Sequence, residues 1–269
     1  MLASSHEGEV EAGSSYLLGF LTNSISSFQE FLFLSGRAFT NILRRPHYYG
    51  DVALQMDIIG VGSLSIVLLV GAFSGAIIAL QMARALSTYG ASSQVGTIVS
   101  LTLVRELGPV LTAIMVAGRN ASGMASELGS MKVTEQIDAM RALGTDPVQK
   151  LVTPRLIATA LMLPCLTVIA DAVGSVGAYL VSVPLLHIIT GRQYWGTFWR
   201  ALVLNDLAQG LGKPFVFGMI IAMVGCYYGL QTTGGTQGVG RSTTQAVVVS
   251  SIWIFVVTFF FDKIFVNLT

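Results

Sequence analysis

The chain has 269 residues, of which 53% are hydrophobic and only 11% are charged. Soluble domains carry about 25% charged residues, so this composition excludes an ordinary soluble protein and indicates an integral membrane protein with one domain. The formal net charge is +1 and no basic stretch occurs, so nothing indicates nucleic acid as a partner.

The N-terminal part is amphipathic rather than membrane-spanning. Residues 1–15 are polar and acidic, which predicts a disordered tail. Over 16–45, apolar residues recur at three, four or seven positions with polar residues between them. This pattern predicts an amphipathic helix lying in the plane of the membrane interface.

Five long apolar segments predict five membrane-spanning helices, and therefore an all-α integral membrane protein. The predicted spans are about 58–83, 95–118, 156–186, 213–230 and 244–261. In the first, Gly71 and Gly75 belong to a stripe of small residues that allows close helix packing. We interpret 190–212 as an extramembrane loop with a partly embedded short helix, and 231–241 as a Gly/Thr-rich connection.

A polar island at 119–155 holds nine of the 29 charged residues of the chain. A charge at the bilayer centre costs about 2.5–3.5 kcal/mol, so this segment must leave the bilayer. Inside it we predict a short amphipathic helix over about 132–144, with Gly144 as its C-terminal cap. Its apolar stripe is Val133, Ile137 and Met140. The pattern allows either an ordinary surface helix or a docking helix whose stripe lies in a groove on a partner.

The distribution of Lys and Arg predicts the orientation. The island contains five of them, and the turn between the first two spans has none from Ala85 to Gln94. By the positive-inside rule the island and the N-terminus are cytoplasmic, and five spans then place the C-terminus on the periplasmic side. Arg192, Arg200 and Lys213 count against this assignment, because they fall on the predicted outer side.

Three ionisable residues fall inside predicted spans. Arg105 and Glu106 form either a structural pair that ties helices together or a polar patch in a substrate cavity. Pro109 loosens the helix beside them and frees a carbonyl, and Gln81 and Tyr89 flank the same hairpin. Asp171 stands alone in the third span, where a bond to a neighbouring helix or to water is favoured over proton transport.

Motifs for catalysis are absent from the sequence. It has no GxSxG, HExxH or Walker A motif, and its three histidines are scattered. We therefore predict that the chain is not an enzyme and holds no metal or cofactor, and that ATP, if it drives the protein, binds another chain.

Three sequence blocks are long and specific: LVRELGPV at 103–110, AGRNASGMASELG at 117–129 and TEQIDAMRALG at 134–144. They resemble one family, the MlaE/YrbE permease subunits of MCE-type lipid ABC transporters. The likeness extends from about Asp51 to the C-terminus, so 46–269 is expected to be one permease domain.

The resemblance implies a bacterial inner-membrane homodimer that moves phospholipid or a related lipid. ATP and magnesium would bind a cytoplasmic ATPase subunit docked on the coupling helix, an MCE-domain protein would lie on the opposite face, and a STAS-domain protein is a further expected partner. The coupling-helix positions implied are Glu135, Gln136, Ile137, Asp138, Met140 and Arg141. The implied lipid cavity contains Arg105, Glu106, Gln81 and Tyr89. Gly71 and Gly75 would permit packing between the two copies.

Three other functions remain as alternatives. An ion-coupled secondary transporter would use Arg105, Glu106 and Asp171, although no inverted repeat is detectable. An intramembrane enzyme is disfavoured because no nucleophile–base arrangement occurs. A non-transporting scaffold of an envelope complex would hydrolyse ATP with its partners but move no lipid.

Overall fold

A computed structural model describes residues 26–46 and 48–268, and all regular secondary structure in those residues is helical. The predicted tail at 1–15 and the first ten residues of the predicted interfacial helix lie outside the described residues. Helix α1 covers 26–42. Its residues Phe31, Leu34 and Ile42 pack against the bundle, and the Phe31 ring lies 5.6 Å from that of Tyr227. The placement of α1 in a membrane interface stays a prediction.

Five helical segments in the described residues are long and apolar enough to cross a membrane, which confirms the predicted class. They are Tyr49–Thr88, Ser92–Val133, Val148–Leu185, Leu204–Leu230 and Gly235–Phe265. The first is helix α2 (Tyr49–Thr88). The second begins with a 3-10 turn at Ser92–Gln94. It continues as α3 (Val95–Thr102), α4 (Gly108–Val116) and α5 (Ser122–Val133), which are joined by π-helical turns at Leu103–Leu107 and Ala117–Ala121.

The remaining helices complete the bundle. They are α6 (Gln136–Ala142), α7 (Thr153–Leu180), α8 (Gly191–Ala201), α9 (Leu204–Leu230) and α10 (Gly235–Leu268). Two further π-helical turns flank α7, at Val148–Val152 and at Val181–Leu185 around Pro184. Every span is longer than predicted, because the helices continue beyond the apolar windows into charged sequence.

Glycines let α2 and α7 approach closely. A methyl group at Gly71 would lie 2.8 Å from the Ala170 carbonyl oxygen, and one at Gly75 would collide with the backbone of Gly174. Both glycines are buried within this one chain. Their expected place in the contact between two copies is therefore corrected: the small-residue stripe packs α2 against α7.

The segment 190–212 is more ordered than predicted. Thr190 caps α8, and the buried side chains of Tyr194 and Phe198 hold this short helix against the bundle. Helix α9 then begins at Leu204, nine residues before the predicted span. The extension carries Asp206, whose buried carboxylate accepts a hydrogen bond from the Val203 N–H at 2.9 Å.

The predicted connection at 231–241 is also mostly helical. Only 231–234 interrupts the helices, and Gly234 and Gly235 have positive φ angles of 85° and 67° at the turn. Glycine adopts this conformation without a steric penalty, so these two residues allow α10 to start directly after the turn.

A pair of alanine substitutions tests the α2–α7 contact. Gly75→Ala should lower the free energy of unfolding by about 1–3 kcal/mol, because the added methyl group meets backbone rather than a movable side chain. Gly50→Ala is the matched control, since a methyl group added there would have no atom within 4 Å. Thermal unfolding of the purified variants measures both, and equal midpoints would contradict the packing.

Candidate functional site

Five ionisable residues from three spanning segments meet at one end of the bundle. We call them the charged cluster: Arg105, Glu106, Asp206, Lys213 and Asp262. Arg105 and Glu106 lie in the first π-helical turn of the second span, Asp206 and Lys213 lie in α9, and Asp262 lies in α10. Ionisable groups inside a spanning protein need partners, and here they find them on one another.

Arg105 pairs with Asp206. Its Nε donates to Oδ1 of Asp206 at 2.6 Å, and Nη2 lies 2.6 Å from the same oxygen. Asp206 is buried, whereas 41% of the Arg105 side chain is exposed. Guanidinium groups recognise carboxylates and phosphates, so Arg105 is the member of this pair that a further anion could reach.

Lys213 is fully buried and holds the rest of the charged cluster together. Its Nζ donates to Oε1 of Glu106 at 2.9 Å and to the backbone carbonyl of Arg105 at 2.8 Å, and it also contacts a carboxylate oxygen of Asp262. An α-helical N–H at position 109 would bond to that carbonyl, but Pro109 has no N–H. Pro109 therefore does not compete with the lysine for this carbonyl, and its predicted loosening of the helix stays a prediction.

The pairing differs from the sequence interpretation. Arg105 and Glu106 do not bond to each other; each joins its own span to α9. Asp206 and Asp262 are not among the site residues predicted from the sequence, and Lys213 is among the predicted outer-side charges. A signal was present, because Asp206 and Lys213 are seven residues apart and so share one helix face.

Gln81 and Tyr89 lie apart from these contacts. Both are exposed, Tyr89 to 83%, and in the described part of the chain neither bonds to a member of the charged cluster. Their predicted role beside a lipid stays a prediction.

The predicted coupling helix is shorter than 132–144. Lys132 and Val133 end α5, and Glu135 has a left-handed φ of 60° that separates α5 from α6. Gly144 ends the segment with φ of 79° and donates to the Arg141 carbonyl at 3.0 Å, as expected of a C-terminal cap. We call 134–144 the coupling segment.

Only part of the predicted apolar stripe is covered by its own chain, since Val133 is 39% exposed. Ile137 is fully buried and Met140 is partly buried. The prediction that this stripe inserts into a groove on a partner is therefore wrong for Ile137. The exposed residues include Glu135, Gln136, Asp138, Arg141 and Leu143, of which Leu143 is 84% exposed.

Ion pairs hold the outward face in shape. Asp138 accepts hydrogen bonds from Lys132 at 2.9 Å and from Arg141 at 2.8 Å. Lys132 first, and Arg141 second, lower the pKa of Asp138 below its usual value, so its carboxylate is charged at neutral pH. Two of the six predicted coupling positions, Asp138 and Arg141, thus bond to each other.

Comparison with known proteins gives one family. The family described as "Permease MlaE" matches residues 52–264. A "Probable ABC transporter permease protein" of Rickettsia bellii is 42% identical over 91% of this chain and 93% of its own length. A protein of Synechocystis with the same description is 44% identical over 85% and 86%. "Protein TRIGALACTOSYLDIACYLGLYCEROL 1, chloroplastic" of Arabidopsis thaliana is 38% identical over 86% of this chain and 66% of its own length.

Removing the buried ammonium group tests the charged cluster. Lys213→Met should lower the free energy of unfolding by about 3–5 kcal/mol, because Glu106 and Asp262 lose their shared cation. Adding Glu106→Gln and Asp262→Asn should restore most of the loss. Lys263→Met, an exposed neighbour, is the matched control. Thermal unfolding is the measurement, and equal effects at 213 and 263 would refute the buried contact.

Proposed function

The chain belongs to the MlaE permease family, and we propose that it is the membrane subunit of an ATP-driven transporter of phospholipid or a related lipid. The membership and the described relatives support a multi-pass transporter permease. ATP and magnesium would bind a separate ATPase chain, so this chain itself carries out no hydrolysis.

The single observation that carries the ATPase coupling is the outward face of the coupling segment. Leu143, with 84% of its surface exposed, stands among polar side chains beyond the ends of the second and third spans. An exposed leucine on a segment that also exposes Glu135 and Gln136 has the composition of a small docking surface. The ATPase would contact this face, while buried Ile137 joins the face to the bundle.

The lipid cargo is supported by the charged cluster and by one relative. The partly exposed side chain of Arg105 offers donors to a phosphate group, and Gln81 and Tyr89 stay candidates for the same cavity. The Arabidopsis relative is named after trigalactosyldiacylglycerol, a lipid. A cavity between two copies of the chain would place an arginine from each copy beside the cargo.

If two copies of the chain form a dimer, they must meet through a surface other than the one that contains Gly71 and Gly75, because α7 already covers that surface. Helix α10 offers one, since an apolar row along it is exposed in the single chain: Val248, Ile252, Phe255 and Phe259. We propose that a second copy of the chain packs against this row. An MCE-domain protein on the opposite end and a STAS-domain protein on the ATPase complete the proposed assembly.

The proposed location is a bacterial inner membrane, with the N-terminus and the coupling segment in the cytoplasm and the C-terminus in the periplasm. Contacts of α1 and the turn after it with the residues that follow the coupling segment support a common side. Arg37 of α1 pairs with Asp146 at 3.2 Å, and Gln149 donates to the carbonyl of Arg44, in the turn, at 3.2 Å.

Two substitutions separate docking from folding. Leu143→Asp should reduce both co-purification of the ATPase and lipid transfer at least about tenfold, because it places a carboxylate where the leucine would contact the ATPase. The thermal stability of the chain should change little, because Leu143 is exposed in the single chain. Ile137→Ala should instead lower the free energy of unfolding by about 2–5 kcal/mol. Normal ATPase retention by Leu143→Asp would remove the docking role.

A further inference from the structure

A lateral cavity of about 180 Å³ lies between α7, α8, α9 and the first π-helical turn of the second span. We propose that it binds the primary ammonium group of an amphiphile, with Asp171 as the counter-ion. The cavity is built within one chain and is distinct from the contacts of the charged cluster. Its ligand need not be the transported lipid.

The cavity is apolar and opens to the side of the bundle. Val104 and Phe198 form part of its buried wall. Residues at its mouth are 45–65% exposed: Trp199, Val168, Leu207 and Leu211. In a spanning protein such residues face lipid tails, so an amphiphile can enter from the membrane. Tryptophan is enriched at membrane–water interfaces, so Trp199 places the mouth near headgroup level.

Asp171 is the polar feature of the cavity that lacks a partner. Its Oδ1 is buried and has no hydrogen-bond partner, and no ion pair reaches this carboxylate within the described residues. Oδ1 packs against the backbone of Gly108, because a methyl group there would collide with it, so Asp171 lines the cavity with its other, partly exposed side-chain atoms. The three carboxylates of the charged cluster, by contrast, each meet a lysine or arginine.

The ammonium group of a ligand supplies the positive charge and the hydrogen-bond donors that the Asp171 carboxylate lacks. An ionised carboxylate in an apolar environment is costly unless it is paired and hydrogen-bonded. A primary ammonium has three donors for it, and its positive charge also gains from the Trp199 ring at the mouth. The apolar body of the amphiphile then fills the cavity or extends into the membrane. An ethanolamine lipid and a soluble amphiphilic amine both offer this chemistry.

Bromine-tagged dodecylammonium tests the site directly, because bromine quenches tryptophan fluorescence at short range. The full chain carries Trp253→Phe, so that the remaining signal comes from Trp195 and Trp199 on α8.

Asp171→Asn should weaken apparent binding at least about tenfold, as expected when a buried charge pair loses one partner. Ala172→Leu should also weaken it by narrowing the cavity. Asp57→Asn, an exposed carboxylate on α2, is the matched control.

The source of the ligand is resolved with native mass spectrometry in vesicles of phosphatidylethanolamine and phosphatidylglycerol. Phosphatidylethanolamine retained by the native chain and lost with Asp171→Asn indicates a membrane lipid. Quenching by the amine without retained lipid indicates a soluble amphiphile. Equal quenching by bromine-tagged dodecanol, unaffected by Asp171→Asn, would overturn the proposal, as would no quenching at all. If Asp171→Asn fails to fold, Ala172→Leu and the alcohol decide the result.

Discussion

The buried ammonium group of Lys213 is the contact on which the arrangement of the spans depends most. It joins α9 to Glu106 and the Arg105 carbonyl in the second span and to Asp262 in α10. A lysine with no exposed surface is tolerated only if each of its donors finds an acceptor, since an unpaired charge costs several kcal/mol in an apolar surrounding. The requirement fixes three spans relative to one another.

The second span connects the charged cluster to the coupling segment. It runs from Ser92 to Val133, carries Arg105 and Glu106 in a π-helical turn, and ends one residue before the coupling segment. π-Helical turns are frequent at functional sites because they break the regular hydrogen-bond ladder and allow adjustment. In the proposed transporter, movement of the docked ATPase would reach the charged cluster along this helix.

Periodicity and hydropathy predicted the fold class and the five spans, because both are properties of local sequence. The same signals do not identify packing partners. The stripe with Gly71 and Gly75 shows that some helix packs there, but only the structure shows that the helix is α7. Likewise, Ile137 has the pattern of an apolar docking residue, although the bundle buries it. The charges of Asp206 and Asp262 made their segments look extramembrane, because their partners lie far away in the sequence or on another helix.

Native mass spectrometry of the chain, extracted gently from its own membrane with partners attached, tests the proposed function most directly. A lipid transporter of this kind should appear as a complex with two copies of this chain, an ATPase and bound phospholipid. A single chain without an ATPase, under conditions that keep other ABC transporters intact, would contradict it.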